Sequence, residues 1–260
     1  MARIIAVTNQ KGGVGKTTTA VNLATFIAMD GYKVLLVDCD PQGNATSGLG
    51  INRKRLKFCL YDLLVDELES NQVMTMTRVD NLDLIPATIQ LAGAEIELVS
   101  RPHREQALAT GLAPVSDYYD YIIIDCPPSL GLLTINALTA CDSVLIPLQC
   151  EYYALEGLSQ LMDTIQLVRK RLNPKLKVEG IVFTMFDGRT NLSIQVVDEV
   201  KSHFRKEVYQ TIIPRNVRLS EAPSHGKPIA LYDSRSKGAE VYRDFAREVL
   251  QRGQERTRAR

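Results

Sequence analysis

The sequence predicts a doubly wound α/β domain, with a mostly parallel sheet flanked by helices. Three observations carry that expectation. Apolar, strand-like runs alternate with helix-like stretches from one end of the chain to the other. Several of those runs are apolar at nearly every position, as strands covered on both faces must be. The first of them, Ile4-Ile5-Ala6-Val7, leads straight into a glycine-rich loop and then a helix. That order places a loop at the sheet's carboxyl edge, where such folds bind their ligands.

Taken in order, strands are predicted over Arg3–Thr8, Lys33–Asp38, Leu82–Ile85, Tyr121–Asp125, Ser143–Leu148, Val178–Thr184 and Val208–Ile213. Helices are predicted over Lys16–Met29, Gln90–Glu97, Leu130–Ala140, Ala154–Leu172, Leu192–Phe204 and Gly238–Arg252. Gly31 suits the left-handed position that closes the first helix. Gly111 and Pro114 interrupt the stretch Arg101–Pro114, where a longer helix would otherwise be expected. No repeat, low-complexity linker or composition shift divides the chain. One domain is therefore expected over 1–252, with a flexible basic tail over 253–260.

Composition narrows the function classes. With 45% hydrophobic and 23% charged residues in a chain of 260, a substantial core is available. The net charge of +1 gives no overall field toward nucleic acid, so any such contact must come from local patches. No apolar run is long enough to span a bilayer, and the start Met-Ala-Arg-Ile-Ile lacks a secretory-leader pattern. The five cysteines form no CxxC pair and read as small core residues of a reducing, cytoplasmic protein. The three histidines have no metal-ligand spacing.

Residues 10–17, Gln-Lys-Gly-Gly-Val-Gly-Lys-Thr, carry most of the functional information. Gly12, Gly13 and Gly15 let successive backbone N–H groups turn inward, and Val14 lies among them. The helix N-terminus adds partial positive charge and Lys16 a full one, which together make a phosphate cradle. Thr17, beside Thr18, is placed to offer a hydroxyl to Mg²⁺. The usual pattern has glycine where Gln10 stands, and it lacks the extra Lys11. A turn that bound nothing would need neither lysine. Downstream, Val34–Gln42 brings Asp38 and Asp40 to the sheet edge two residues apart, on one face of the strand. Such a pair suits a hydrated Mg²⁺ or a water. Tyr121–Pro128 ends an apolar strand on Asp125, a carboxylate positioned to reach Mg²⁺ through water. The combination implies hydrolysis of a nucleoside triphosphate, with Asp40 positioning the attacking water.

The segments Lys11–Thr18, Val37–Asn44 and Ile124–Ser129 strongly resemble the deviant Walker A ATPases of the P-loop NTPase class. Further stretches, 85–95, 149–157, 184–191 and 213–223, resemble the ParA/Soj branch, which partitions chromosomes and plasmids. The resemblance covers residues 2 to 250. It implies ATP and Mg²⁺ as cofactors and an ATP-bound sandwich homodimer in which Lys11 contacts the partner's ATP. It places Pro214 and Asn216 near the adenine. It also implies non-specific binding of double-stranded DNA on the nucleoid and slow hydrolysis stimulated by a ParB-type centromere-binding protein. Arg189 and Arg218 match positions the branch uses for DNA, and an arginine fork grips phosphate without reading sequence. Two basic clusters, Arg53–Lys57 and Arg169–Arg171, read as solvated faces. The alternative is a MinD-like membrane-associated ATPase. That branch needs a C-terminal amphipathic helix, whereas Gln251–Arg260 has no bulky apolar residue and Val241, Phe245 and Leu250 are expected to dock on the core.

Overall fold

The computed structural model describes residues 2–151 and 154–258, the last three of them as backbone only. Eight strands form one sheet: β1 (Arg3–Val7), β2 (Val34–Asp38), β3 (Thr75–Met76), β4 (Leu82–Ile85), β5 (Tyr121–Asp125), β6 (Ser143–Gln149), β7 (Lys177–Phe186) and β8 (Val208–Pro214). Their spatial order is β3-β4-β2-β5-β1-β6-β7-β8. All pairings are parallel except β3 with β4. The sheet's carboxyl edge gathers the ends of β1, β2 and β5 side by side, with Asp38 in register with Asp125 and Asp125 with Val7.

The helices are α1 (Lys16–Met29), α2 (Asn44–Gly48), α3 (Leu60–Leu64), α4 (Ser70–Val73), α5 (Leu91–Glu97), α6 (Ala107–Leu112), α7 (Leu132–Ala140), α8 (Ala154–Arg171), α9 (Asn191–Phe204), α10 (Val217–Glu221), α11 (Ile229–Tyr232) and α12 (Lys237–Arg258). They divide between two cores. Ile5, Val7, Leu36, Ile123 and Leu145 face α1 and α12. Their strand neighbours Ala6, Val37, Ile124, Val144 and Ile146 face α3 and α5 to α9. This period-2 division explains why both sets are apolar. The Thr19 hydroxyl lies 3.1 Å from the Tyr242 hydroxyl, a polar contact between α1 and α12 inside the apolar layer.

The predicted strands and long helices form at or within a few residues of their expected bounds. Gly31 takes φ 94° just past α1, as the C-terminal position requires. Two expectations change. The final helix runs to Arg258 rather than Arg252. It continues because Gly253 leaves room for the Arg3 guanidinium and because Gln251 bonds Glu255 one turn on, at 3.2 Å. Residues 259 and 260 lie outside the described residues. Besides the predicted strand and helix that form as β4 and α5, the region 44–118 holds short helices and the antiparallel β3 that were not predicted. Within that region α6 is brief, and Gly111 is a close-packing site: a Cβ there would meet the Leu63 side chain of α3 at 2.9–3.1 Å. Tyr152 and Tyr153, inside the 149–157 stretch, also fall outside the described residues.

Candidate nucleotide site

The glycine loop joins β1 to α1. Gly13 at φ 75° and Gly15 at φ 85° adopt left-handed backbone that a side chain would strain. The loop is pinned from beneath. Asn9 donates its amide to the Pro147 carbonyl at 2.8 Å and accepts from the Lys11 N–H at 3.0 Å. The Thr184 hydroxyl donates to the Val14 carbonyl at 2.8 Å. Lys16 is only 7% exposed, and its ammonium donates to the Lys11 carbonyl at 2.8 Å. Burial lowers its pKa, against the opposing pull of Asp125 and Asp40.

A cleft of about 490 Å³ opens beside the loop. It is lined by nine of the predicted residues: Gly12, Gly13, Gly15, Lys16, Thr17, Thr18, Asp40, Pro214 and Asn216. That size suits a nucleotide. Val14 is buried behind the loop. Asn216 also serves the backbone, its carbonyl oxygen capping α10 by accepting from the Leu219 N–H at 3.3 Å.

The three carboxylates of the edge divide the work. Asp125 ends β5 fully buried, and neither of its oxygens has a hydrogen-bond partner. Burial raises its pKa well above the carboxylate range, and the charge of Asp38 adds to the rise. Thr17 and Lys16 pull the other way from close by, without a bond of ordinary geometry. Asp38 is corrected from a possible ligand to a structural post. Its carboxylate accepts from the Thr46 N–H at 2.8 Å, the Thr46 hydroxyl at 2.6 Å and the Asp40 N–H at 3.3 Å. Burial pushes its pKa up to about 6, and those bonds restrain the rise. Asp40 lines the cleft, with Oδ1 fixed by the Gln42 N–H at 2.9 Å. A bare, dry carboxylate beside the Thr17 hydroxyl supplies oxygen ligands of the kind a hydrated divalent cation takes.

The other predicted residues stand apart from the cleft. Lys11 sits on its lip, where the ammonium is ion-paired with Glu151 of the same chain, both side chains about two-fifths exposed. Arg189 is 89% exposed and forks onto Asp187, Nε to Oδ1 at 2.8 Å and Nη2 to Oδ2 at 2.6 Å. Arg218 pairs with Glu221 at 3.0 Å and Asp233 at 3.5 Å. Sequence reasoning missed Gln42, Asn44, Thr184, Arg215 and Tyr242 as lining residues. Arg215 lies inside the 213–223 stretch and was findable. Tyr242 arrives from α12, and nothing local marks it.

Residues 2–178 match the family described as an AAA domain. Over 253 residues the chain is 66% identical to the sporulation initiation inhibitor protein Soj of Bacillus subtilis (strain 168), covering 97% of this chain and 100% of that one. Over 252 residues it is 58% identical to the chromosome partitioning protein ParA of Myxococcus xanthus (strain DK1622), covering 97% and 89%.

The chain belongs to the ParA/Soj family.

Among solved structures, it is similar to cobyrinic acid a,c-diamide synthase from Mycobacterium smegmatis with bound ADP and magnesium. The TM-score is 0.86 at 40% identity, over 98% of this chain and 96% of that one. Within the ParA/Soj fold seen here, the apolar face of α12 is spent on the core: Val241, Tyr242, Phe245, Val249 and Leu250 are all buried. No helix among the described residues is long and apolar enough to cross a membrane. All five cysteines are buried and unpaired.

Proposed function

We propose that this ParA/Soj chain hydrolyses ATP with Mg²⁺ and uses the cycle to move DNA. The observation that carries the reading is Asp125, a fully buried carboxylate with both oxygens unpartnered, directly beneath a pinned phosphate loop. Such a group is costly to keep unless a ligand completes it. Backbone N–H groups of residues 12–17 and the Lys16 ammonium hold the β- and γ-phosphates. To do so Lys16 exchanges the Lys11 carbonyl for phosphate oxygen. Thr17 and Asp125 hold Mg²⁺, which when bound neutralises charge developing on the phosphates. Asp40, with one oxygen already fixed by Gln42, orients the attacking water with the other. Pro214 and Asn216 border the nucleoside end.

Lys11 reaches the nucleotide of a second subunit, so ATP bridges two copies. The dimer presents Arg189 and Arg218 twice over, to duplex DNA of any sequence. A ParB-type partner accelerates hydrolysis and releases it, and the protein works on the nucleoid in the cytoplasm. DNA affinity measured with ATP, ADP and no nucleotide at two salt concentrations tests this. Binding should need ATP and fall steeply with salt. Asp40→Ala should bind ATP, lose most turnover and accumulate as dimer by light scattering. A variant that stays monomeric with ATP removes the support for this reading.

A further inference from the structure

The last strand, β8, does not run evenly beside β7. While β7 advances two residues, from Ile181 to Phe183, β8 advances four, from Val208 to Ile212. The excess is a bulge, which a regular ladder cannot pair. A carboxylate from α12 holds it instead. Glu248 accepts from the Gln210 N–H at 2.8 Å, the Thr211 N–H at 2.9 Å and the Thr211 hydroxyl at 2.8 Å. Arg252, one turn further along α12, donates to the same carboxylate at 2.9 Å. These four bonds meet on a side chain only 17% exposed, so solvent screens them little.

The bulge lies just upstream of one wall of the cleft. From it β8 runs on to Pro214, and Pro214, Arg215 and Asn216 all line the cleft. Pro214 is back in register with β7, opposite Phe186, and the Arg215 N–H donates to the Phe186 carbonyl at 3.2 Å. The segment is therefore tied at both ends, by Glu248 before it and by Phe186 after it. Two residues before Phe186, Thr184 holds the Val14 carbonyl of the glycine loop. Between them Met185 lines the cleft with a left-handed backbone, at φ 50°. The end of β7 thus carries both the glycine loop and the wall opposite. The same α12 also reaches the cleft directly, because Tyr242 lines it and its hydroxyl meets that of Thr19.

We infer that Glu248 is a positioning residue for nucleotide binding: by fixing the bulge, it sets how far Pro214 and Asn216 reach along the cleft and so which base the cleft accepts. The inference rests on the nucleotide site proposed above and extends it. A bulge without an anchor can migrate along its strand. Each residue of slip moves the chain beyond it by about 3.3 Å and turns its side chains to the other face. The glycine loop takes its support elsewhere, from the Pro147 carbonyl and the Thr184 hydroxyl. Loss of the clamp therefore falls on the base and spares the phosphates. A carboxylate that only covered a sheet edge would make no such distinction.

Isothermal titration of ADP, GDP and inorganic diphosphate, each with Mg²⁺, separates base from phosphate without hydrolysis. Glu248→Gln removes the charge and one acceptor oxygen. It should weaken ADP about tenfold, leave diphosphate within about twofold of the parent and shrink the preference for ADP over GDP. Thr211→Val removes one of the four bonds and keeps a branched side chain. It should shift the ratio of ADP to diphosphate affinity the same way, by about two- to threefold, and it decides the matter if Glu248→Gln does not fold. Unchanged ADP affinity overturns the inference. Equal losses for ADP and diphosphate also overturn it, since Glu248 then supports the fold alone. A parent that binds ADP no better than diphosphate contradicts the placing of the base beside Pro214 and Asn216, and shows this before any variant is compared.

Discussion

The two ends of the sheet each bury acidic side chains, and they treat them oppositely. At the amino edge Glu179 of β7 is fully buried and surrounded. It accepts from Arg3 at 2.6 Å, the Ser143 hydroxyl at 2.7 Å and the Tyr209 hydroxyl at 3.0 Å. Arg252 stacks over the Tyr209 ring at 4.1 Å and bonds the Val208 carbonyl at 2.7 Å, tying α12 to the same cluster. One nitrogen of Arg3 is the single buried polar atom there left without a bond. At the carboxyl edge Asp125 is just as dry and has no hydrogen bond of ordinary geometry, only Thr17 and Lys16 close by. A folded chain rarely leaves a buried carboxylate bare. One end therefore holds the strands in place, and the other keeps an open valence for a ligand.

Breaking the amino end should give the largest effect on stability. Arg3→Ala strands Glu179 without its counter-charge, and urea unfolding should show a loss of about 3–5 kcal/mol. A loss under about 1 kcal/mol would mean the cluster is not the clamp described. The mirror experiment is Asp125→Asn. Replacing a buried carboxyl that lacks a hydrogen bond should leave stability without nucleotide equal or higher by about 1 kcal/mol. The Mg²⁺-dependent ATPase should fall by about a hundredfold or more. If unfolding shows this variant weakened like Arg3→Ala, Asp125 is a structural post and the contrast fails. The smallest effect belongs to the lip. Glu151→Gln frees Lys11 from a half-exposed pair contributing about 0.2–1 kcal/mol. The ATP-dependent dimer should then form at roughly two- to fivefold lower protein concentration. Unchanged or weaker assembly in sedimentation would show that Glu151 does not restrain Lys11.

The sequence reveals the cleft better than what surrounds it, for a physical reason. Glycine loop, Asp40 and Asp125 each follow an apolar strand directly, so chain order alone delivers them to one edge. Asp38 looked equivalent to Asp40 because both lie on that edge. Its partner Thr46 sits eight residues on, in a helix of five residues with no period to announce it. Glu151 and Thr184 reach the loop from β6 and β7, about 140 and 170 residues away in the chain. Such meetings are set by strand order, which local pattern does not encode. The same holds for Gly253, whose missing side chain makes room for Arg3 at the far end of the molecule.

Arg189 travels with the carboxylate of Asp187, and Arg218 with those of Glu221 and Asp233. From a distance such a pair is a dipole rather than a cation, so a lone subunit exerts little pull on a passing polyanion. Contact must first prise each guanidinium from its escort, and a single grip gains little by that exchange. Several grips made together, on a rigid two-subunit frame, gain much more. Under the proposed cycle, capture would then turn on abruptly with pairing and vanish as abruptly on separation, without any change in the arginines themselves.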